Sequence, residues 1–235
     1  MTEEAIVLAG GFGTRLKTVV SDIPKPMAPV AGIPFLEYVL RYLSHQGITH
    51  LVLAVGHLRE QIIGHFGDSF EGMDISYSEE VDLLGTGGGI LQACGFLKGK
   101  RAFVVNGDTF FHVDLAKLET FHVPKGAALT LALKPMHRFE RYGTVETDAN
   151  GKVEGFLEKQ YRESGLINGG VYCLETTLFE DRMPKVFSFE KDVLERRVHE
   201  GVIYGVESDT YFIDIGIPED YQKAQEDFAA GLHEA

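Results

Sequence analysis

The chain has 235 residues, 44% of them hydrophobic, and a formal net charge of −13. That length buries a full core without metal or disulfide staples. The negative balance, with Lys and Arg scattered beyond the first loop, argues against a nucleic-acid partner, whose phosphates it would repel.

The chain enters an apolar run at residues 5–9, a buried-strand pattern, with neither a signal peptide nor an apolar stretch of membrane-spanning length. No membrane partner is expected, and the cytoplasm is the expected compartment. The run breaks at Gly10, Gly11 and Gly13, which leave backbone N–H groups free to point at an anion. Arg15 and Lys17 add positive charge to the same turn, the first as a planar fork suited to phosphate oxygens. Pro24 and Pro26 bracket Lys25, and Pro26 biases it towards an extended backbone. Neither of two better-known glycine loops fits. No Gly-x-x-x-x-Gly-Lys-Ser/Thr string occurs, and Leu16 stands where a dinucleotide fingerprint needs a small residue.

Phe35, Leu36, Val39, Leu40 and Leu43 recur at helical spacing up to Gly47, and 51–55 reads as a second strand. A helix over 58–66, a strand over 75–78, a second glycine loop from Leu84 to Gly89 opening a helix, and a buried strand over 101–105 follow. Strand and helix alternating with short connections predict a mainly parallel sheet covered on both faces, with ligands at the carboxyl ends of its strands. Both glycine segments and Asn106-Gly107-Asp108 then share one rim. Residues 128–133, 143–146, 153–158 and 166–174 are strand-like with few helices between them, which predicts a lid-like sheet over that rim. Ser188 can cap a helix through Val198, and Pro218 suits the start of a terminal helix. With no linker or repeat, one domain with two lobes is expected.

Asp108 follows strand residues Val104 and Val105, the position of a metal carboxylate, although Asn-Gly-Asp after a strand is also a common turn. Asp214 is a second acid in apolar strand surroundings, slightly too early to cap the terminal helix, and needs a partner there. Glu158-Lys159 ends a strand and precedes Asn168-Gly169-Gly170, whose amide both donates and accepts; alone, such a dipeptide is solvated surface. The two cysteines, Cys94 and Cys173, form no Cys-x-x-Cys pair and read as reduced, packed thiols. The nine histidines show no metal-ligand spacing, and nothing suggests a nucleophilic triad.

Gly10-Gly11-Phe12-Gly13-Thr14-Arg15-Leu16 followed by Pro24-Lys25-Pro26-Met27 resembles the signature of the sugar-1-phosphate nucleotidylyltransferases, and the resemblance runs over nearly the whole chain. It implies an α/β fold, a Rossmann-like three-layer sandwich with a mainly parallel central sheet and a smaller β-rich sugar-binding lobe. The nucleotide-binding lobe is expected over residues 1–126 and the sugar lobe over 127–235. No hexapeptide-repeat β-helix fits in these residues, so no fused acyltransferase is expected.

The reaction implied joins a nucleoside triphosphate to a sugar 1-phosphate and releases pyrophosphate. Leu8 and Ala9 would flank the base, while Gly10, Gly11, Gly13, Thr14 and Arg15 hold the triphosphate. Lys25 would lie on the α-phosphate, and Asp108 and Asp214 hold Mg²⁺; Arg15, Lys25 and Asp108 are the implied catalytic residues. Glu79 and Glu80, with Gly85 and Thr86, would read the base edge. Guanine's N1–H and N2–H₂ are adjacent donors that one carboxylate accepts together, so glutamate favours GTP, while loop acids facing water remain the plain alternative. Asn106, Gly143, Glu158, Lys159, Asn168 and Gly169 would take the sugar phosphate. Glu190-Lys191 either adds to that wall or forms the outer face of a helix.

Within the family, residues 14–37, 84–90, 106–111 and 187–194 look similar to the bacterial D-glycero-α-D-manno-heptose 1-phosphate guanylyltransferases. A mannose 1-phosphate guanylyltransferase and an N-acetylmuramate 1-phosphate uridylyltransferase stay open. So do two other classes, a glycosyltransferase of related topology and an inactive nucleotide or sugar sensor.

Overall fold

Ala5 and Val7 pack into one hydrophobic cluster and Ile6 into another, and all three are fully buried. A strand buried on both faces lies in the middle of a sheet covered on both sides. The computed structural model describes residues 1–11, 22–179 and 183–234. In chain order the first half runs β1 (Glu4–Leu8), β2 (Pro29–Val30), β3 (Ile33–Pro34), α1 (Phe35–His45), β4 (His50–Val55), α2 (Arg59–Phe66), β5 (Ser69–Phe70), β6 (Met73–Glu79), α3 (Gly85–Cys94), β7 (Arg101–Asn106), β8 (Thr109–Phe111) and α4 (Leu115–His122). The second half adds β9 (Leu129–Phe139), β10 (Thr144–Thr147), β11 (Val153–Leu157), β12 (Arg162–Glu175), a helical segment from Glu190 that includes α5 (Glu195–Arg197), β13 (Ile203–Glu207), β14 (Phe212–Asp214) and α6 (Pro218–Ala229).

Strands β6, β4, β1 and β7 lie side by side and parallel, in that order. The chain therefore builds outward from β1 in one direction and then crosses back to place β7 on the other side. That reversal opens a crevice at the carboxyl ends of β1 and β7, the usual ligand position in such sheets. There Gly107 N donates to Leu8 O at 2.9 Å, and a side chain at Gly107 would meet that oxygen at 2.8 Å.

The second-half strands do not form a separate lid. They extend the same sheet, because β12 pairs antiparallel with β9 over most of its length and also with β10 at Ile167 and with β7 through its last five residues. A register shift between Asn168 and Tyr172 lets one 14-residue strand serve both neighbourhoods. The central strands are parallel as expected; the antiparallel half continues them.

Residues on alternate sides of the strands feed two clusters. One holds Val7, Leu51, Leu53, Phe103 and Val105 under α1, α2 and α6; the other holds Ile6, Val52, Ala54 and Val104 under α3 and the segment around Phe187–Val198. Helix α1 ends before Gly47, whose φ of +84° suits only glycine comfortably. Helix α2 starts at Arg59, one residue later than its pattern predicts, because Leu58 takes a left-handed φ of +57°. Ser188 accepts from Lys191 N at 3.2 Å, and Pro218 opens α6, both as expected. Cys94 and Cys173 are free thiols, each pushed up to about 12 by burial. Among the described residues, no helix is long and apolar enough to cross a membrane.

Candidate active site

Lys25 sits in a tight turn, not the extended segment its neighbour Pro26 suggests: Met27 N bonds Pro24 O at 2.8 Å and Ala28 N bonds Lys25 O at 3.0 Å. The turn delivers the ammonium, 9% exposed, between two carboxylates, at 2.6 Å from Asp108 Oδ2 and 3.5 Å from Asp214 Oδ1. The acids meet because β8 and β14 form a two-stranded ladder in which Asp214 faces Thr109, and Ile215 N bonds Asp108 O at 3.1 Å. Burial, and then repulsion from Asp108, push the Asp214 acid above the usual carboxylate range, against the pull of Lys25 and the Gly216 amide. Gly216 leaves the space: a Cβ there would lie 2.8 Å from Asp214 Oδ1 and 3.2 Å from Lys25 Nζ.

The end of β1 is equally tight. Ala9 N bonds Ala54 O at 2.8 Å, and a Cβ on Gly56 would fall 2.9 Å from Gly10 O. Among the described residues, nothing lies within 4 Å of a Cβ built on Gly11. Gly13, Thr14 and Arg15, with Leu16 and Lys17, lie outside the described residues.

The two candidate base readers part company. Glu79 turns outward to Arg59, Oε2 at 2.9 Å. Glu80 turns inward, where Oε2 accepts from Leu84 N at 3.2 Å and Oε1 comes within 3.0 Å of a built Cβ on Gly10 and 2.9 Å of one on Gly89. Burial raises its acid, partly offset by the Leu84 amide.

The second glycine loop is not a loop. Gly85 to Gly89 form the first turns of α3, although each interior helical glycine costs about 1 kcal/mol relative to alanine. Close packing explains them. A Cβ on Gly87 would lie 2.3 Å from the Phe187 ring, and one on Gly88 2.7 Å from Lys185 O. Gly87 N bonds Phe187 O and Phe187 N bonds Leu84 O, so the start of α3 is zipped to the segment over 185–189. The Thr86 hydroxyl joins this zip, accepting from Phe189 N at 2.9 Å and donating to Glu190 Oε2 at 3.0 Å.

A cavity of about 540 Å³ opens beside Asp214 and takes in all six residues expected to hold the sugar phosphate: Asn106, Gly143, Glu158, Lys159, Asn168 and Gly169. The strand irregularity in β12 puts Asn168 there. Its Nδ2 donates to the buried Tyr172 OH at 2.8 Å and its Oδ1 accepts from Gly170 N at 3.1 Å, which fixes the amide orientation. Gly169 has no alternative, since a Cβ would lie 2.3 Å from the Phe111 ring.

The sequence pattern of the nucleotidyl transferase family matches residues 4–231. The chain belongs to that family. The transferase is 49% identical over 225 residues to D-glycero-alpha-D-manno-heptose 1-phosphate guanylyltransferase of Aneurinibacillus thermoaerophilus, covering 95% of this chain and 97% of the relative. It is 47% identical to the protein of the same name from Campylobacter jejuni, covering 93% and 96%. Among solved structures, HddC from Yersinia pseudotuberculosis complexed with GMP-PN aligns with a TM-score of 0.86 at 36% identity, covering 97% of this chain and 100% of that one.

The transferase also brings to the cavity residues that sequence reasoning did not single out. Arg141 and Tyr142 line it next to Asp214; Arg141 donates to Tyr142 OH at 3.1 Å and to Asp220 on α6. The Tyr142 phenol is pushed up to about 12, by burial first and by Asp214 second. Neither residue carries a local signal: Arg-Tyr before a glycine reads as an ordinary turn, and only the long-range meeting with α6 gives it meaning.

Proposed function

We propose that this chain transfers GMP from GTP to D-glycero-α-D-manno-heptose 1-phosphate, forming GDP-heptose and releasing pyrophosphate. The observation that carries the reading is the convergence of Lys25, Asp108 and Asp214 beside a polar cavity of about 540 Å³. Identities of 49% and 47% to two heptose 1-phosphate guanylyltransferases support the choice of sugar, and the likeness to HddC complexed with GMP-PN supports the nucleotide.

An oxygen of the sugar phosphate attacks the α-phosphorus in line, forming the new P–O bond as the bond to the β-phosphate breaks and pyrophosphate departs. No general base is needed, because a phosphate monoester with a second pKa of about 6 is mostly dianionic near neutrality. The protein's task is to align two anions and neutralise their charge. The Gly10 and Gly11 amides, continued by Gly13, Thr14 and Arg15, hold the triphosphate, and Lys25 neutralises the α-phosphate. Leu8 and Ala9 flank the base, while the inward-turned Glu80 accepts from guanine's N1–H and N2–H₂. In the cavity, Glu158 accepts from sugar hydroxyls and Lys159 meets the sugar phosphate.

Asp108 and Asp214 suit a divalent cation. They offer oxygen donors alone and converge on one cationic centre, and burial, then repulsion from Asp108, raises the Asp214 acid. Mg²⁺ held there supplies charge neutralisation on the phosphates. Residues 1–126 then serve the nucleotide, residues 127–235 the sugar, and the cytoplasm is the compartment.

The test is pyrophosphate release with heptose 1-phosphate, Mg²⁺ and each of GTP, ATP, UTP, CTP and dTTP, repeated with mannose 1-phosphate. Preference for GTP and for the heptose is the expected result. Preference for UTP or dTTP overturns the role of Glu80, and preference for mannose 1-phosphate overturns the choice of sugar.

A further inference from the structure

Thr86 stands between two parts of the molecule that serve different substrates. It belongs to the turn that opens α3, one residue from Gly85 and a short stretch from Glu80, yet its hydroxyl makes no bond to that turn. It accepts from Phe189 N and donates to Glu190 Oε2, so it ties α3 to the wall of the cavity that holds Asn168 and Lys159. Ser188 repeats the arrangement from the other side, donating to the same Glu190 oxygen at 3.1 Å while accepting from Lys191 N at 3.2 Å.

Two hydroxyl donors thus converge on Oε2 of a carboxylate that lines the cavity. An acid in the first turn of a helix needs no such pair, since the helix N-terminus alone favours it. What the pair adds is direction. With Oε2 held, the side chain has one rotational setting in which Oε1 is the remaining acceptor, and a carboxylate acceptor fixed in a cavity wall suits the hydroxyls of a sugar.

We propose that Glu190 accepts from hydroxyls of the sugar phosphate and that Thr86 is its positioning residue. The turn at the nucleotide side thereby sets the geometry of the sugar side. The inference rests on the reading of the cavity as the sugar 1-phosphate site.

Steady-state pyrophosphate release tests it, varying the sugar phosphate at saturating GTP and then GTP at saturating sugar phosphate, for wild type, Thr86→Val, Thr86→Ser and Glu190→Gln. Loss of one oriented hydrogen bond is worth about fivefold to tenfold. Thr86→Val is expected to raise the sugar-phosphate KM by about that factor, and Thr86→Ser to return it to the wild-type value. Glu190→Gln, with a shape close to the native one, is expected to raise the same KM further and decides the matter if Thr86→Val does not fold. An unchanged sugar-phosphate KM in both Thr86→Val and Glu190→Gln of an active enzyme, or failure of Thr86→Ser to restore it, overturns this inference alone. A wild-type chain that releases no pyrophosphate from any sugar 1-phosphate overturns the cavity reading and this inference with it.

Discussion

A methyl group on Gly216 would stand 2.8 Å from Oδ1 of Asp214. The obstructed atom is the end of a side chain, so the fold can absorb the substitution by rotating Asp214 away from Lys25. Gly216→Ala is therefore expected to keep its melting temperature within a few degrees and to lose about tenfold or more in turnover, a displaced group of this kind costing more than 1.4 kcal/mol at the transition state. Turnover equal to wild type would show that the position of Asp214 is not limiting.

Lys25→Ala removes the cation shared by Asp108 and Asp214. If Lys25 acts where charge develops, kcat falls by about 10²- to 10³-fold, as for other single donors of this type, while the dissociation constant for the nucleotide changes little. Single-turnover rates and equilibrium nucleotide titration separate the two. Equal losses in both would sink the transition-state role.

Glu80→Gln keeps an acceptor for Leu84 N but replaces one carboxylate oxygen with a donor, which opposes guanine's paired N–H groups. The expected outcome is a drop of about 10- to 100-fold in kcat/KM for GTP, with UTP and ATP affected much less. Competition assays among the three nucleotides read this directly. A proportional loss for all three would mean that Glu80 only braces the start of α3.

At the opposite end of the sheet, Glu4 is 9% exposed and accepts from Lys98 N at 3.0 Å and Gly99 N at 2.6 Å, with His50 Nδ1 at 2.7 Å. Burial raises its acid, but the two amides and His50 together outweigh it and leave Glu4 below the usual range. A carboxylate depressed on folding contributes stability above its unfolded pKa, about 4.3, and that contribution drains away as pH falls through the lower folded value. Glu4→Gln is expected to cost about 1–3 kcal/mol at neutral pH and to flatten the loss of stability below pH ~4. Urea midpoints at a series of pH values check both effects.

How far the sequence could be read depended on the range of the interaction. Lys25, Asp108 and Asp214 were legible because each is odd where it stands: a lysine between prolines, an acid at a strand end, an acid among apolar residues. The six sugar-site candidates were legible through the family pattern, and all line one cavity. The glycines over 85–89 misled, because a run of glycines signals a loop locally while the ring and carbonyl that require them come from residues 185–187, a hundred positions away. The same distance hid the sheet's continuity, since nothing in the sequence of β12 announces that, beside β9, it pairs with β10 and then with β7. Glu79 and Glu80 were indistinguishable by type; only Arg59 beside one and Gly10 beside the other separates them.

β12 has one further consequence. Its last residues are hydrogen-bonded beside β7, the strand that ends at Asn106, and its Asn168 reaches into the cavity through the irregularity that precedes them. A single stretch of main chain thus works as a ruler between the end of β7, two residues before Asp108, and the cavity wall that carries Asn168. If Asp108 and the cavity serve as proposed, the spacing between them is written into the backbone when the chain folds, and a variant that adds or removes one residue near Gly169 would misalign them even with every side chain of the site intact.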